Sequence, residues 1–367
     1  MAEVIANFSA GPSALPRSVR QDIAEALLTQ SDASPSIIEV SHRGPAFGQV
    51  AEELHERLAA LTGVGQSHYL LLLQGGANLQ FAQMPLNLAQ NAPAGFVVTG
   101  HWGEKAFAEA QRIGQPQLIA STQESGYTEL PKDMVCDQAV GYAHITGNET
   151  IQGVQFQRPP RLNDASGEPL PLVADISSEF LSRRYPLETL AGFYAGTQKN
   201  LGVPGLTVVG LAKDWWAKIE PQRHRPLPRY LDYQAWVDSQ SMLNTPATFA
   251  WYVALKMLRW IESQGGLEVI ESRNRSKAQK LYACVDDSGL YANEVDPAAR
   301  SQMNVVFRLS DARLHEAFLT EAEAAGFLGL KGHRAVGGLR ASLYNAIEPS
   351  AVSALVEFMQ EFERSHG

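Results

Sequence analysis

Residues Pro171 to Gly210 read PLVADISSEFLSRRYPLETLAGFYAGTQKNLGVPGLTVVG. A short apolar strand, Pro171 to Ala174, ends on Asp175. After a polar link a second apolar run, Phe193 to Ala195, leads into Gly196, Thr197, Gln198, Lys199 and a Gly/Pro-rich turn. An acid leaves one strand end and a lysine leaves the next. Parallel strands ending side by side put both side chains in the crevice above the carboxyl edge of the sheet, where open α/β sheets hold their ligands. On these two residues alone, a turn-capping aspartate and a solvated loop lysine account for the pattern equally well.

The chemistry suited to an acid and a lysine so placed is that of pyridoxal phosphate. Its aldehyde condenses with a lysine amine, and its ring nitrogen stays protonated against a carboxylate. The rest of the chain must decide. Its 367 residues exceed one ordinary core and point to two domains, or to one large α/β domain with a smaller appendage. The net charge of −9 argues against nucleic-acid binding by phosphate neutralisation. Two cysteines, Cys136 and Cys284, are too few for a disulfide framework or a cysteine-rich metal site, so no metal is expected. No apolar run approaches membrane-spanning length and the N-terminus lacks a signal-peptide profile, which points to the cytoplasm with no membrane partner.

In chain order, the small-residue loop NFSAGPSALP precedes a helix from Arg17 to Leu28. His42 and Arg43 then form a turn before a helix from Phe47 to Leu61, a surface turn or an anion site. Tyr69 to Leu73 reads as a buried strand leading into Gln74-Gly75-Gly76-Ala77-Asn78 and a helix from about Leu79 to Leu88, the layout of a phosphate cradle or of a simple tight turn. A strand Phe96 to Thr99 ends at Trp102, which is either core or a plate against an aromatic cofactor. A strand from Ala139 to His144 ends in a polar loop that reaches Thr150. Strands and helices alternate from Tyr69 to Gly210, the pattern of a largely parallel sheet.

Beyond Gly210 a Pro- and Arg-rich connection leads to Asn244-Thr245-Pro246 and a long helix through Trp260, for which Asn244 or Thr245 is the default cap. A further helix, Leu267 to Asp286, precedes a smaller α/β unit. In that unit His333, Arg334 and Arg340 gather around a glycine pair, as a solvated basic loop also would.

Taken together, NFSAGP, EVSHRG, LLLQGGANLQF, GHWGEKA, GNETIQG, ADISS, YAGTQKNLGVPGLTVV, MLNTPATFAWY, SQMNVVF and KGHRAVGGLRASLYNA, in this order and at these spacings, resemble the phosphoserine aminotransferases of the class V aminotransferases. The resemblance runs from Asn7 almost to the C-terminus. It implies an α/β, fold type I pyridoxal-phosphate transferase with a large domain, residues 17–258, holding a mainly parallel seven-stranded sheet. An N-terminal segment, 1–16, would lie on the small-domain side, and a smaller C-terminal α/β domain would span 259–367.

Carried over residue by residue, the resemblance implies that Lys199 bonds the cofactor and Asp175 pairs with its ring nitrogen, while Trp102 stacks on the ring. Ala77 and Asn78 would give backbone donors to the phosphate, and Thr150 and Gln198 would touch the cofactor. Asn244 and Thr245 would reach the phosphate held by the other subunit of a homodimer with shared active sites. Arg340 would take the substrate α-carboxylate. His42, Arg43, His333 and Arg334 would hold the distal phosphate or carboxylate, with Arg43, His333 and Arg334 coming from the partner. One departure stands out: the family often has Gly-Gly-Arg-Gly where this chain has Gly-Gly-Ala-Asn-Leu, so a side-chain role for that arginine does not transfer.

The implied reaction is reversible amino transfer from L-glutamate to 3-phosphohydroxypyruvate, giving 2-oxoglutarate and O-phospho-L-serine in serine biosynthesis. Amination of the 4-phosphohydroxythreonine precursor in pyridoxine biosynthesis is the family's other reach. Three rivals are weighed. A cysteine desulfurase needs a mobile reactive cysteine, and neither Cys136 nor Cys284 is so placed. A non-enzymatic phosphate binder would not need the full catalytic set. A sister aminotransferase for a non-phosphorylated substrate would not need so many basic groups at the distal end.

Overall fold

The computed structural model describes residues 6–28 and 35–366. Its centre is a sheet of seven strands: β1 (His68–Gln74), β2 (Ala94–Val98), β3 (Gln117–Ser121), β4 (Tyr142–Thr146), β5 (Leu172–Asp175), β6 (Gly192–Gly196) and β7 (Leu206–Ala212). The spatial order is β1-β7-β6-β5-β4-β2-β3. From β6 across to β3 every pairing is parallel. β7 runs antiparallel to both β6 and β1. The largely parallel sheet thus holds one reversed strand, which the continuous apolar run at Leu206 to Leu211 does not disclose.

Helices cover both faces, so the inner strands are buried along their whole length and their sequences are mostly apolar with no polar alternation, His144, Thr146 and Asp175 being the polar exceptions. In order the helices are α1 (Arg17–Leu28), α2 (Pro45–Thr62), α3 (Ala77–Leu88), α4 (His101–Ile113), α5 (Lys213–Ile219), α6 (Tyr233–Asp238), α7 (Thr248–Ser263), α8 (Gly266–Asp286), α9 (His315–Ala324) and α10 (Pro349–His366). One core, with Phe47, Leu54, Leu58, Trp251 and Leu258, packs α2 and α7 on one face. A second, with Phe81, Met84, Ala106 and Ala110, packs α3 and α4 on the other. β3 escapes a pattern-based reading because it is an edge strand of mixed polarity, with Leu118 exposed.

The smaller unit has its own core, which joins Leu281, Phe307, Phe318, Leu355 and Phe362 around β8 (Tyr291–Ala292), β9 (Asn304–Leu309) and β10 (Leu339–Ser342). Phe8 belongs to this core, and Ala6–Asn7 pair in parallel with Phe327–Leu328. The boundary drawn after residue 258 needs correction. It cuts α7, whose Trp260 and Ile261 pack in the large core, as do Leu267 and Ile270 of α8; Ala278 and Leu281 of the same helix pack in the small one. The units divide inside α8, because one amphipathic helix serves both cores. Among the described residues no helix is long and apolar enough to cross a membrane.

Candidate active site

β5 ends on Asp175, opposite Tyr194 of the parallel strand β6. The chain leaves β6 at Gly196 and turns back through Lys199, which brings acid and lysine to the same carboxyl edge. Lys199 Nζ donates to Thr150 Oγ1 at 2.7 Å and lies 5.9 Å from the centre of the Trp102 ring. Burial pulls the Lys199 ammonium down to about 8, with Arg340 acting in the same direction and Asp175 and Glu149 opposing. The Asp175 carboxyl is buried, and Oδ1 accepts the Ser177 amide at 2.9 Å. Burial raises its pKa, while the Ser177 donors, Lys199 and Tyr194 hold it down.

The loop after β4 ties the site together. Asn148 Nδ2 donates to Ser178 Oγ and to Asn304 Oδ1 of β9, both at 2.8 Å, which links the two units. Glu149 is fully buried and accepts the backbone N–H groups of Trp102 and Gly103 at 3.0 and 2.8 Å. Those amides open α4 and have no partner within the helix. A Cβ on Gly100 would stand 2.5 Å from Glu149 Cδ, so only glycine leaves the carboxylate room to cap the helix. Burial pushes Glu149 up to about 7, against the two amide donors. Thr150 completes the loop: its hydroxyl meets Lys199, and its carbonyl accepts from Arg340 Nη1 at 3.4 Å.

Two features leave donors ready for an anion. Helix α3 starts at Ala77 after the N-cap Gly76 with no side-chain cap, and a Cβ at Gly76 would meet nothing within 4 Å. Gly75 before it holds φ of +101°, a left-handed conformation that favours glycine. The amides of Ala77 and Asn78 have no carbonyl partner within the helix and lie at its positive end. On β10 the part-buried Arg340 has its Nε buried without a partner, although burial lowers its pKa. The N-terminal segment closes over the lysine turn: the Ser13 amide donates to the Gln198 carbonyl at 2.9 Å, and Ser13 Oγ donates to the Lys199 carbonyl.

The structure thus brings together Lys199, Asp175, Thr150, Trp102 and Arg340, with Gln198 beside the lysine. Asn244 and Thr245 are exposed and meet Gln74 of their own chain, whose Nε2 donates to Asn244 Oδ1 at 3.1 Å and to the Thr245 carbonyl. His42 and Arg43 sit in the turn before α2; among the described residues no hydrogen bond or ion pair joins them to the Lys199 group. The ring of His333, expected from a partner, lies 5.4 Å from that of His101 in the same chain, one residue before Trp102. Exposed Arg334 follows it in the same turn. Sequence reasoning missed Glu149, His101, Tyr194 and Ser177 as parts of the site. For Glu149 a signal existed: α4 begins with Gly100 and has no local capping side chain, so its amides need a distant acceptor.

A buried strand-end aspartate, a desolvated lysine in the turn after the next strand, an indole plate and an uncapped helix start fit a lysine-bound aromatic phosphate cofactor. They define a lysine-dependent cofactor transferase of open α/β type. The chain belongs to the family Aminotransferase class-V, whose pattern matches residues 5–355. Within it, the phosphoserine aminotransferase of Stutzerimonas stutzeri is 44% identical over 364 residues, 98% of each chain. The structure of the phosphoserine aminotransferase from Bacillus circulans subsp. alkalophilus is similar at a TM-score of 0.92 with 41% identity, covering 100% of this chain and 99% of that one. The pyridoxal-phosphate-bound phosphoserine aminotransferase of Trichomonas vaginalis is similar at 0.88 with 35% identity, covering 96% and 99%.

Proposed function

We propose that this chain is a phosphoserine aminotransferase. It transfers the amino group of L-glutamate reversibly to 3-phosphohydroxypyruvate, giving O-phospho-L-serine and 2-oxoglutarate, and it works as a cytoplasmic homodimer with shared active sites. The observation that carries the reading is the Lys199 amine held on Thr150, over the Trp102 ring, beside the buried Asp175 of the neighbouring strand. Pyridoxal phosphate, when bound, supplies an electron sink for the negative charge that develops at the substrate α-carbon.

Each residue has a physical task. The first amides of α3 hold the cofactor phosphate. Asp175, whose Ser177 donors work against the effect of burial and favour the carboxylate, would hold the proton on the ring nitrogen, and Trp102 would fix the ring plane. Arg340, whose Nε has no partner, offers its guanidinium to the substrate α-carboxylate, which sets the orientation of the Cα–H bond. Lys199, its proton affinity lowered to about 8, takes the proton from Cα as a neutral amine and returns it on the other side of the transfer. Thr150 Oγ1 holds the amine in place between the two tasks. The distal phosphate meets His333 and Arg334 of the same chain, with His42 and Arg43 supplied across the dimer, and Asn244 and Thr245 steady the partner's cofactor phosphate.

The rival desulfurase reading loses support, since both cysteines are buried. A substrate panel with glutamate as donor tests the proposal. The kcat/KM for 3-phosphohydroxypyruvate should exceed that for hydroxypyruvate by about a hundredfold or more, the worth of two charge-assisted contacts. Equal values would assign the chain to a non-phosphorylated substrate. An arm with the 4-phosphohydroxythreonine keto precursor reads the longer substrate.

A further inference from the structure

Strand register sets three polar groups in a row behind the site. Asp175 on β5 lies opposite Tyr194 on β6, and His144 on β4 lies opposite Val173, two residues before Asp175. Register partners share a face and the strand period is two, so all three belong to one side of the sheet. His144 and Tyr194 are buried. His144 Nε2 lies 2.9 Å from the Tyr194 hydroxyl, and its ring stands between Phe96 at 4.9 Å and Tyr194 at 5.9 Å. Its Nδ1 is buried without a partner.

The direction of the protons follows. Burial keeps the imidazole neutral, down at about 3, so it carries one N–H. A hydrogen on Nδ1 would be a buried donor with no acceptor, whereas a bare Nδ1 is only an unfilled lone pair and the smaller loss. Nε2–H therefore donates to the Tyr194 oxygen. The Tyr194 proton is then free to turn toward the Asp175 carboxyl, which belongs to its register partner on the adjacent strand and whose pKa Tyr194 lowers. The other titratable groups that face Tyr194 are Tyr142, Tyr233 and Glu149; burial raises the pKa of each tyrosine, so neither adds charge at neutral pH.

We propose that His144 and Tyr194 are positioning residues for the amino transfer: a one-way chain, His144 N–H to Tyr194 O–H to Asp175, that keeps the carboxyl ionised and aimed at the cofactor ring nitrogen. The inference rests on the proposed pairing of Asp175 with that nitrogen. Without the last donor the carboxylate becomes more basic, competes for the ring proton and weakens the sink.

Two measurements test it. In protein labelled with [15N]histidine, the His144 signals, assigned by their loss in His144→Gln, should show Nε2 protonated and Nδ1 bare across neutral pH. In holoenzyme loaded with pyridoxal phosphate carrying 15N in the ring, Tyr194→Phe should move the ring signal toward the unprotonated position. It should also raise the pH midpoint of the visible cofactor band by about one pH unit and lower kcat about tenfold at little change in KM. His144→Gln keeps a donor and should fall between. An Nδ1–H tautomer at His144 overturns the chain. So does an unmoved ring signal in folded Tyr194→Phe when Asp175→Asn moves it. If Asp175→Asn moves nothing either, the pairing itself fails and the chain with it.

Discussion

Lys277 of α8 offers the sharpest test of how the small unit holds the active-site edge. Its buried Nζ donates to the carbonyls of Leu343, Tyr344 and Ile347 at 3.0, 2.9 and 2.9 Å. That turn follows β10, which carries Arg340. From it the Tyr344 hydroxyl reaches the Ala10 carbonyl at 2.8 Å, and the Asn345 amide reaches Asn200 Oδ1 at 3.0 Å, one residue past Lys199. Lys277→Met keeps the apolar stem and removes all three donors. At about 1 kcal/mol for each buried carbonyl left unpaired, the turn should lose about 3 kcal/mol, or roughly a hundredfold in local opening. Because the two units need not unfold together, hydrogen exchange of peptides covering 343–348 is the better assay than a global melt. Protection there should fall about a hundredfold while peptides of β4 and β5 hold. The lysine adds a pH signature, since burial pulls its pKa from 10.5 to about 7. A lowered folded pKa means stability that is lost as pH falls from 10.5 to about 7 and is flat below that, so the wild type should gain on the variant as pH rises from 7 to 10. A change under threefold, or one spread evenly over the sheet, would refute the reasoning.

Three further outcomes are expected. Asp175→Asn removes the carboxylate proposed to hold the ring proton, and steady-state turnover should drop by about a thousandfold with the cofactor still bound; near-normal rates would mean that another group does this work. Glu149 has its pKa raised from 4.5 to about 7, so its contribution is full below pH 4.5 and is lost as pH rises through 7. Since Glu149→Gln does not titrate there, the stability gap between wild type and variant in the apoprotein should narrow from pH 5 to pH 8, and a gap that widens in thermal melts contradicts the assignment. Lys199→Ala mixed with Arg43→Ala, with subunit exchange shown separately, should regain activity if Arg43 acts across the dimer. No rescue would place Arg43 in cis.

How much of this was legible in the chain differs from residue to residue. The sequence by itself determined the strand end at Asp175, the turn after the next strand that carries Lys199, the glycine cradle before α3 and the alternation of strands and helices, because each depends on local periodicity and on residues with strong backbone preferences. It also carried the family resemblance, since many short loops in fixed order identify a fold without any knowledge of contacts. Only the tertiary structure decided the reversal of β7, the edge strand β3 and the division inside α8, since direction, edge position and a helix shared by two cores leave no periodic trace. The same holds for Glu149 under α4, for His333 against His101 and for His144 behind Tyr194. Burial and pairing across 46, 232 and 50 residues of chain arise only when the elements pack, and it is packing that removes water and moves each proton affinity.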